Sequence, residues 1–346
     1  MTAYRRRGSP VEHGFPHLAT VRAAITALLR RLPDDGIRPY AASLSPADAS
    51  FTDADDLHLG AHRVASAVVA ALGLPDARMV VAFRPMREAA TVELAAGPEY
   101  FIEVNDRFRT HRRDLAAALA HEVTHVLLHR LGLRFPATAD DEVLTDTAAA
   151  LLGVGWLLLD AYREDALGHQ KLGYLTPEEF GYVLAKRAVL VGEDPAAWFT
   201  SPQAYEAYVR GRALAERDLR RPPLAAADGA ERRRYARERR AARTATGGPG
   251  TGGAGADETA ASGGAGSGGT GAGGPGGPGG PGAVSGAARF GPARGGAAPG
   301  YRFERHGGGL RVTFGCPVCG QRLRLPVAGR LRARCGLCRT VLDCDT

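Results

Sequence analysis

The chain has 346 residues, 44 of them basic and 37 acidic, for a formal net charge of +7; the length suggests about two domains. Lys171 and Lys186 are the only lysines; the other basic residues are arginines, set among abundant alanine and glycine. This reads as a bias of GC-rich coding and is weak evidence for a polyanion partner. All five cysteines lie between Cys316 and Cys344, which excludes a disulfide scaffold spread through the fold.

In chain order, Met1 to Gly14 carries arginines at 5 to 7 without a following apolar run, so no secretory signal is expected. Val21 to Leu32 has helical periodicity and is stopped by Pro33-Asp34-Asp35-Gly36. Leu57 to Leu72 is a second helix, ended by Gly73 and Pro75. Arg78–Arg84, Ala90–Ala95 and Glu99–Val104 are short β-prone runs bounded by Gly97-Pro98 and Asn105-Asp106. Arg113 to Leu131 is a strong helix, followed by one from about Asp140 to Tyr162. The apolar run Ala148 to Leu159 inside the latter is too short to span a bilayer, so a buried helix and cytoplasmic residence are expected. Pro177 to Leu190 follows, with Thr176 as N-cap and Glu179 as its capping-box partner, and then Ala204 to Leu219.

The order gives an α+β domain over 1–220, in which a small, mainly antiparallel sheet packs on helices. Residues 221–300 begin with the basic run Arg232 to Arg243. They continue from Thr244 to Gly300 as Gly, Ala and Pro, with little to bury; a disordered linker is expected. Residues 301–346 regain aliphatics and carry the cysteines, as a second, small domain.

His121-Glu122-Val123-Thr124-His125 lies in the apolar segment Leu115 to Leu133. Histidines four apart share one helix face and can reach one zinc ion, and the glutamate between them can serve as a base. A catalytic zinc usually takes a third protein ligand. The extended pattern HExxHxxGxxH fails, because Leu128 and Leu131 occupy its last positions. The third ligand should therefore come from another helix, where Glu142 and Asp146 are four apart; Asp140 and Asp141 compete with them.

HExxH followed by Glu142-Val143-Leu144-Thr145-Asp146 on the next helix resembles the gluzincin metallopeptidases, over Ala116 to about Leu157. The resemblance implies that Glu142 is the third zinc ligand, with His121 and His125, and that Asp146 orients the ring of His121. It implies peptide hydrolysis by zinc-activated water with Glu122 as general base. A His or Tyr donor to the oxyanion is common in that superfamily; His169, Tyr174 and Tyr182 are the candidates. An edge strand that pairs with extended substrate is also implied, and Glu99 to Val104 is the candidate.

Cys316, Cys319, Cys335 and Cys338 form two CxxC pairs with the spacing of a four-cysteine structural zinc site. The segment resembles a zinc ribbon, with Gly320 and Gly336 suited to the tight turns. So small a domain depends on its metal for folding. Cys344 is left over as a spare thiol. The ribbon arginines have little aromatic interleaving, which favours a protein-docking surface over nucleic acid. The expected cofactors are thus one catalytic and one structural zinc, and the expected partners are a peptide or protein substrate and a protein partner at the ribbon. The alternative is a non-catalytic zinc protein whose ribbon and basic run bind nucleic acid or a protein complex.

Overall fold

The computed structural model describes residues 11–165, 168–245 and 300–346. The expected disordered linker falls almost wholly on 246–299, outside the described residues, as does most of the segment read for a signal.

α1 (Leu18–Arg31) turns Val21, Ala24, Ile25 and Leu28 inward at helical spacing. α2 (Pro46–Ala49) is a single turn. α3 (Leu57–Ala71) starts where the Asp56 carboxylate accepts from the N–H groups of His58 and Leu59. β1 (Arg78–Arg84), β2 (Ala90–Val92) and β3 (Glu99–Asn105) form one sheet in the order β1-β3-β2.

The expected α+β class holds, and the sheets are antiparallel except at one pair. β1 and β3 run parallel, from Arg78 opposite Glu99 to Arg84 opposite Asn105. The connection between them is long enough to carry the chain back to the start of β1, and β2 within it forms an antiparallel pair with β3. Parallel and antiparallel partners bury alternate residues alike, so the pattern of β3 did not distinguish them.

α4 (Leu115–Arg130) packs on α3, on β2 and on α5 (Thr138–Leu152). Leu115 through Ala120 are all buried, and four of these six are alanines, which lets neighbours approach from every side. The helix expected from Asp140 to Tyr162 is broken. Gly153 caps α5 with φ +97°, a left-handed conformation that any side chain would strain. The chain restarts as α6 (Trp156–Asp160), which is wholly buried. Among the described residues no helix is long and apolar enough to cross a membrane.

β4 (Arg163–Asp165) and β5 (Gly168–Gln170) pair antiparallel before α7 (Pro177–Val191), whose capping box at Thr176 and Glu179 forms as expected. α8 (Pro202–Asp218) packs along α7. The basic run is helical: α9 (Gly229–Thr244) buries Tyr235, whose ring lies 4.7 Å from that of Tyr301 in a T-shaped contact. Arg239, which donates to the Thr346 carbonyl, and Arg232, which donates to Ala227 O, anchor the helix with Tyr235.

The last segment holds β6 (Tyr301–His306), β7 (Gly309–Gly315) and β8 (Arg322–Pro326) in one antiparallel sheet, and β9 (Arg330–Arg334) with β10 (Val341–Asp345) in another. It sits on α1 and α7. Arg30 donates to Gln321 at 2.7 Å, Thr26 donates to the Cys319 carbonyl, and Lys186 donates to the Pro317 carbonyl. Lys186 is fully buried and also meets Asp218 at 2.9 Å.

Burial pushes the Asp218 carboxyl up, but Lys186, Arg22 and the Tyr182 hydroxyl outweigh it and hold it below its ordinary 3.8. Its stabilising contribution is therefore complete above about pH 4 and is lost as the pH falls further. K186A leaves Asp218 and the Pro317 carbonyl short of a donor, and is expected to cost about 3 kcal/mol at neutral pH. Urea unfolding of wild type and K186A should show this gap at pH 7 and a narrowing gap toward pH 3; a gap independent of pH contradicts the assignment.

Candidate metal centre

α4 places His121 and His125 one turn apart on one face, and α5 returns after the loop at Gly132 to bring Glu142 against both. Nε2 of His121 is 3.1 Å from Nε2 of His125, and Glu142 Oε2 lies 3.2 Å and 3.4 Å from them. Donors about 2.0–2.1 Å from a tetrahedral zinc are about 3.3 Å apart. The three atoms are thus spaced to hold one ion, and they form one of two groups of potential metal ligands among the described residues.

Partners behind the rings leave both Nε2 atoms available. His121 Nδ1–H donates to Asp146 Oδ1 at 2.8 Å. His125 Nδ1–H meets the Thr145 hydroxyl at 3.3 Å, and that hydroxyl donates to the Asp141 carbonyl. Asp146 is fully buried, and its other oxygen accepts from the backbone N–H groups of Tyr174 and Leu175. Gly173 makes that clamp feasible: its φ is +80°, and a Cβ there would lie 2.6 Å from Asp146 Oδ2. The competing carboxylates are used elsewhere, Asp140 by the Thr20 hydroxyl and Asp141 by the Phe135 N–H.

Electrostatics follow this geometry. Burial opposes charge on both His121 and Glu142, but their mutual contact, with Asp146 beside His121 and His125 beside Glu142, outweighs it. His121 rises well above its usual value and Glu142 is held down to about 2. The field that favours a proton on His121 equally favours a divalent cation at its Nε2. Glu122 is only 6% exposed; burial raises its carboxyl more than the two histidines lower it.

The group opens into a cleft of about 420 Å3, bordered by β2, Leu94, Leu158, Leu172 and Tyr174, with Glu122 in its wall. Of the three residues considered as oxyanion donors, Tyr174 alone lines this cleft, its ring 6.4 Å from that of His121 and stacked on it. Tyr182 is buried and donates to Asp218, and His169 belongs to β5. The expected edge strand is also corrected. β3 is the central strand, and β2 is the edge that borders the cleft.

In the C-terminal segment, the Sγ atoms of Cys316 and Cys338 are 3.7 Å apart, and those of Cys319 and Cys335 3.6 Å. Sulfurs about 2.3 Å from a tetrahedral zinc are about 3.8 Å apart, so the four cysteines can hold one ion. Both knuckles close alike: Cys316 N–H donates to Gln321 O and Cys335 N–H to Thr340 O. Gly336 lies in the turn of the second knuckle as expected, and the left-handed positions of the two knuckles are Gly320 and Arg339. Cys344 is buried in β10, where its thiol is pushed up to about 11, and it stands outside the cluster. No protein-family model, curated protein or solved structure matches this chain.

Metal analysis of the full chain by mass spectrometry should give two zinc ions per molecule. H125A and C335S should each lose one, and D146N should weaken zinc binding at the histidine group by about 10- to 100-fold. A single zinc that survives H125A and is lost in C335S would contradict the first group.

Proposed function

We propose that the chain is a zinc-dependent peptidase of gluzincin-like type. The observation that carries this is Glu122, a buried carboxylate in the wall of an open cleft, adjacent in sequence to one of three converging metal donors. A structural zinc site is closed by four protein ligands and has no use for a base; a catalytic one keeps an open position. Three donors and a cleft favour the catalytic reading over a non-catalytic zinc protein.

A zinc ion bound there would supply Lewis acidity toward a carbonyl and a water. His121, His125 and Glu142 would hold the metal, and Asp146 and Thr145 fix the two ring orientations. Glu122 takes the proton from the attacking water and returns it to the leaving amine, which its raised carboxyl pKa suits. The Tyr174 phenol donates to the carbonyl oxygen as negative charge develops there.

β2 holds the substrate. The N–H of Asn105 donates to Ala89 O and that of Glu93 to Phe101 O, so the antiparallel register turns the backbone groups of Ala90 and Val92 away from β3. An extended peptide can pair with them across the cleft.

E122Q should retain both zinc ions and lose at least about 100-fold in hydrolysis of a mixed peptide library, read as new termini by mass spectrometry. Y174F should lower kcat by about 10- to 100-fold with little change in KM. Equal hydrolysis by wild type and E122Q sinks the mechanism.

A further inference from the structure

We propose that the outer face of the β6–β7–β8 sheet binds the phosphate backbone of double-stranded nucleic acid. The starting observation is a segregation of charge. α9 and residues 301–346 hold 16 arginines and five acidic residues, net +11. The rest of the chain holds 28 basic and 32 acidic residues, net −4. A coding bias replaces lysine by arginine throughout a chain; it does not separate positive from negative.

The strand register collects part of this charge on one face. Arg302, Thr313 and Arg324 stand in one cross-strand row, Arg311 lies opposite Glu304 in the next, and Arg322 lies opposite Gly315. Residues directly opposite share a face. The face therefore carries four arginines and one acid, Glu304, which meets Arg324 at 3.0 Å. Alternate residues point the other way, where Phe303 packs near Tyr235.

A second observation is independent of charge. The Thr313 hydroxyl, between Arg302 and Arg324, is buried with no hydrogen-bond partner among the described residues, and Thr313 is 6% exposed. Buried hydroxyls are nearly always paired. A phosphate drawn in between the two guanidiniums supplies the missing acceptor, with charge-assisted bonds on either side.

The aromatic residues decide the form of the nucleic acid. Tyr301 and Phe314 are buried and Phe303 is packed against Tyr235, so His306 at the end of β6 is the one exposed ring on these three strands, and a single ring cannot stack successive unpaired bases. Recognition is left to phosphates, which position a duplex without reading its sequence. Contacts from Thr26, Arg30 and Lys186 hold the ribbon against the first domain, so a bound duplex is tied to the body of the protein. The proposal stands or falls on binding alone and does not require the peptidase reading.

The test is fluorescence anisotropy of a labelled mixed-sequence duplex titrated with full-length protein between about 50 and 200 mM salt. Four phosphate contacts should give a slope of log K against log salt of about −3 to −4. Replacing Arg302, Arg311, Arg322 and Arg324 together by alanine should weaken binding at least about 30-fold and flatten that slope. T313V alone should weaken it about three-fold with the slope unchanged, a readout that survives if the fourfold variant fails to fold. A control with equal charge change, alanine at Arg38, Arg78, Arg87 and Arg217, should bind within about two-fold of wild type. The proposal is overturned by no binding at the lowest salt, by equal loss in the control, or by tighter binding to a single strand. Equal affinity for polyglutamate, as for an acidic protein partner, also overturns it.

Discussion

A fully buried carboxylate, Asp146, is the constraint around which the site is arranged. Burying an ionised group is costly unless its lone pairs are filled. Asp146 is filled from three directions: the His121 ring, and the backbone N–H groups of Tyr174 and Leu175. One side chain therefore fixes α5 against α4 and both against the loop that follows β5. It also sets which nitrogen of His121 faces Glu142. The tautomer, the ring direction and the placement of Tyr174 at the cleft all follow from that one group.

The remainder of the fold presses the two helices to this distance. The alanine-rich first turns of α4 let α3, α5 and the sheet approach closely, while Gly153 ends α5 before its apolar run would carry it past the core. The C-terminal segment is tied in as well. Its first knuckle gives two carbonyls to α1 and α7, and one of them meets the buried ammonium of Lys186. The four-cysteine site is thereby coupled to the packing of the larger domain, and its role extends beyond folding its own strands.

The parts of the site that were legible in the sequence obey local periodicity. His121 and His125, and then Glu142 and Asp146, are each four apart on a helix, so shared faces could be read directly. The spacing of the two CxxC pairs was equally direct. What was not legible depends on distant backbone. Pairing of β1 with β3 is parallel, and β2, a three-residue strand, is the edge in place of β3; alternation carries no such information. The Gly173–Leu175 clamp is made of main-chain groups, which leave no residue-type signature beyond the glycine. Thr145 lies within the motif that marked Glu142 and Asp146, and its hydroxyl was within reach of sequence reasoning. At the second knuckle a non-glycine residue, Arg339, takes the left-handed position, which residue type does not signal.

The central claim is that His121, His125 and Glu142 make an open zinc site with Glu122 beside it. Anomalous diffraction at the zinc edge from crystals of the full chain tests this directly. The account requires a peak about 2.0–2.2 Å from both Nε2 atoms and a Glu142 oxygen, with the fourth position facing the cleft and Glu122. A peak closed by a fourth protein ligand, or none there while the four cysteines carry theirs, would contradict it.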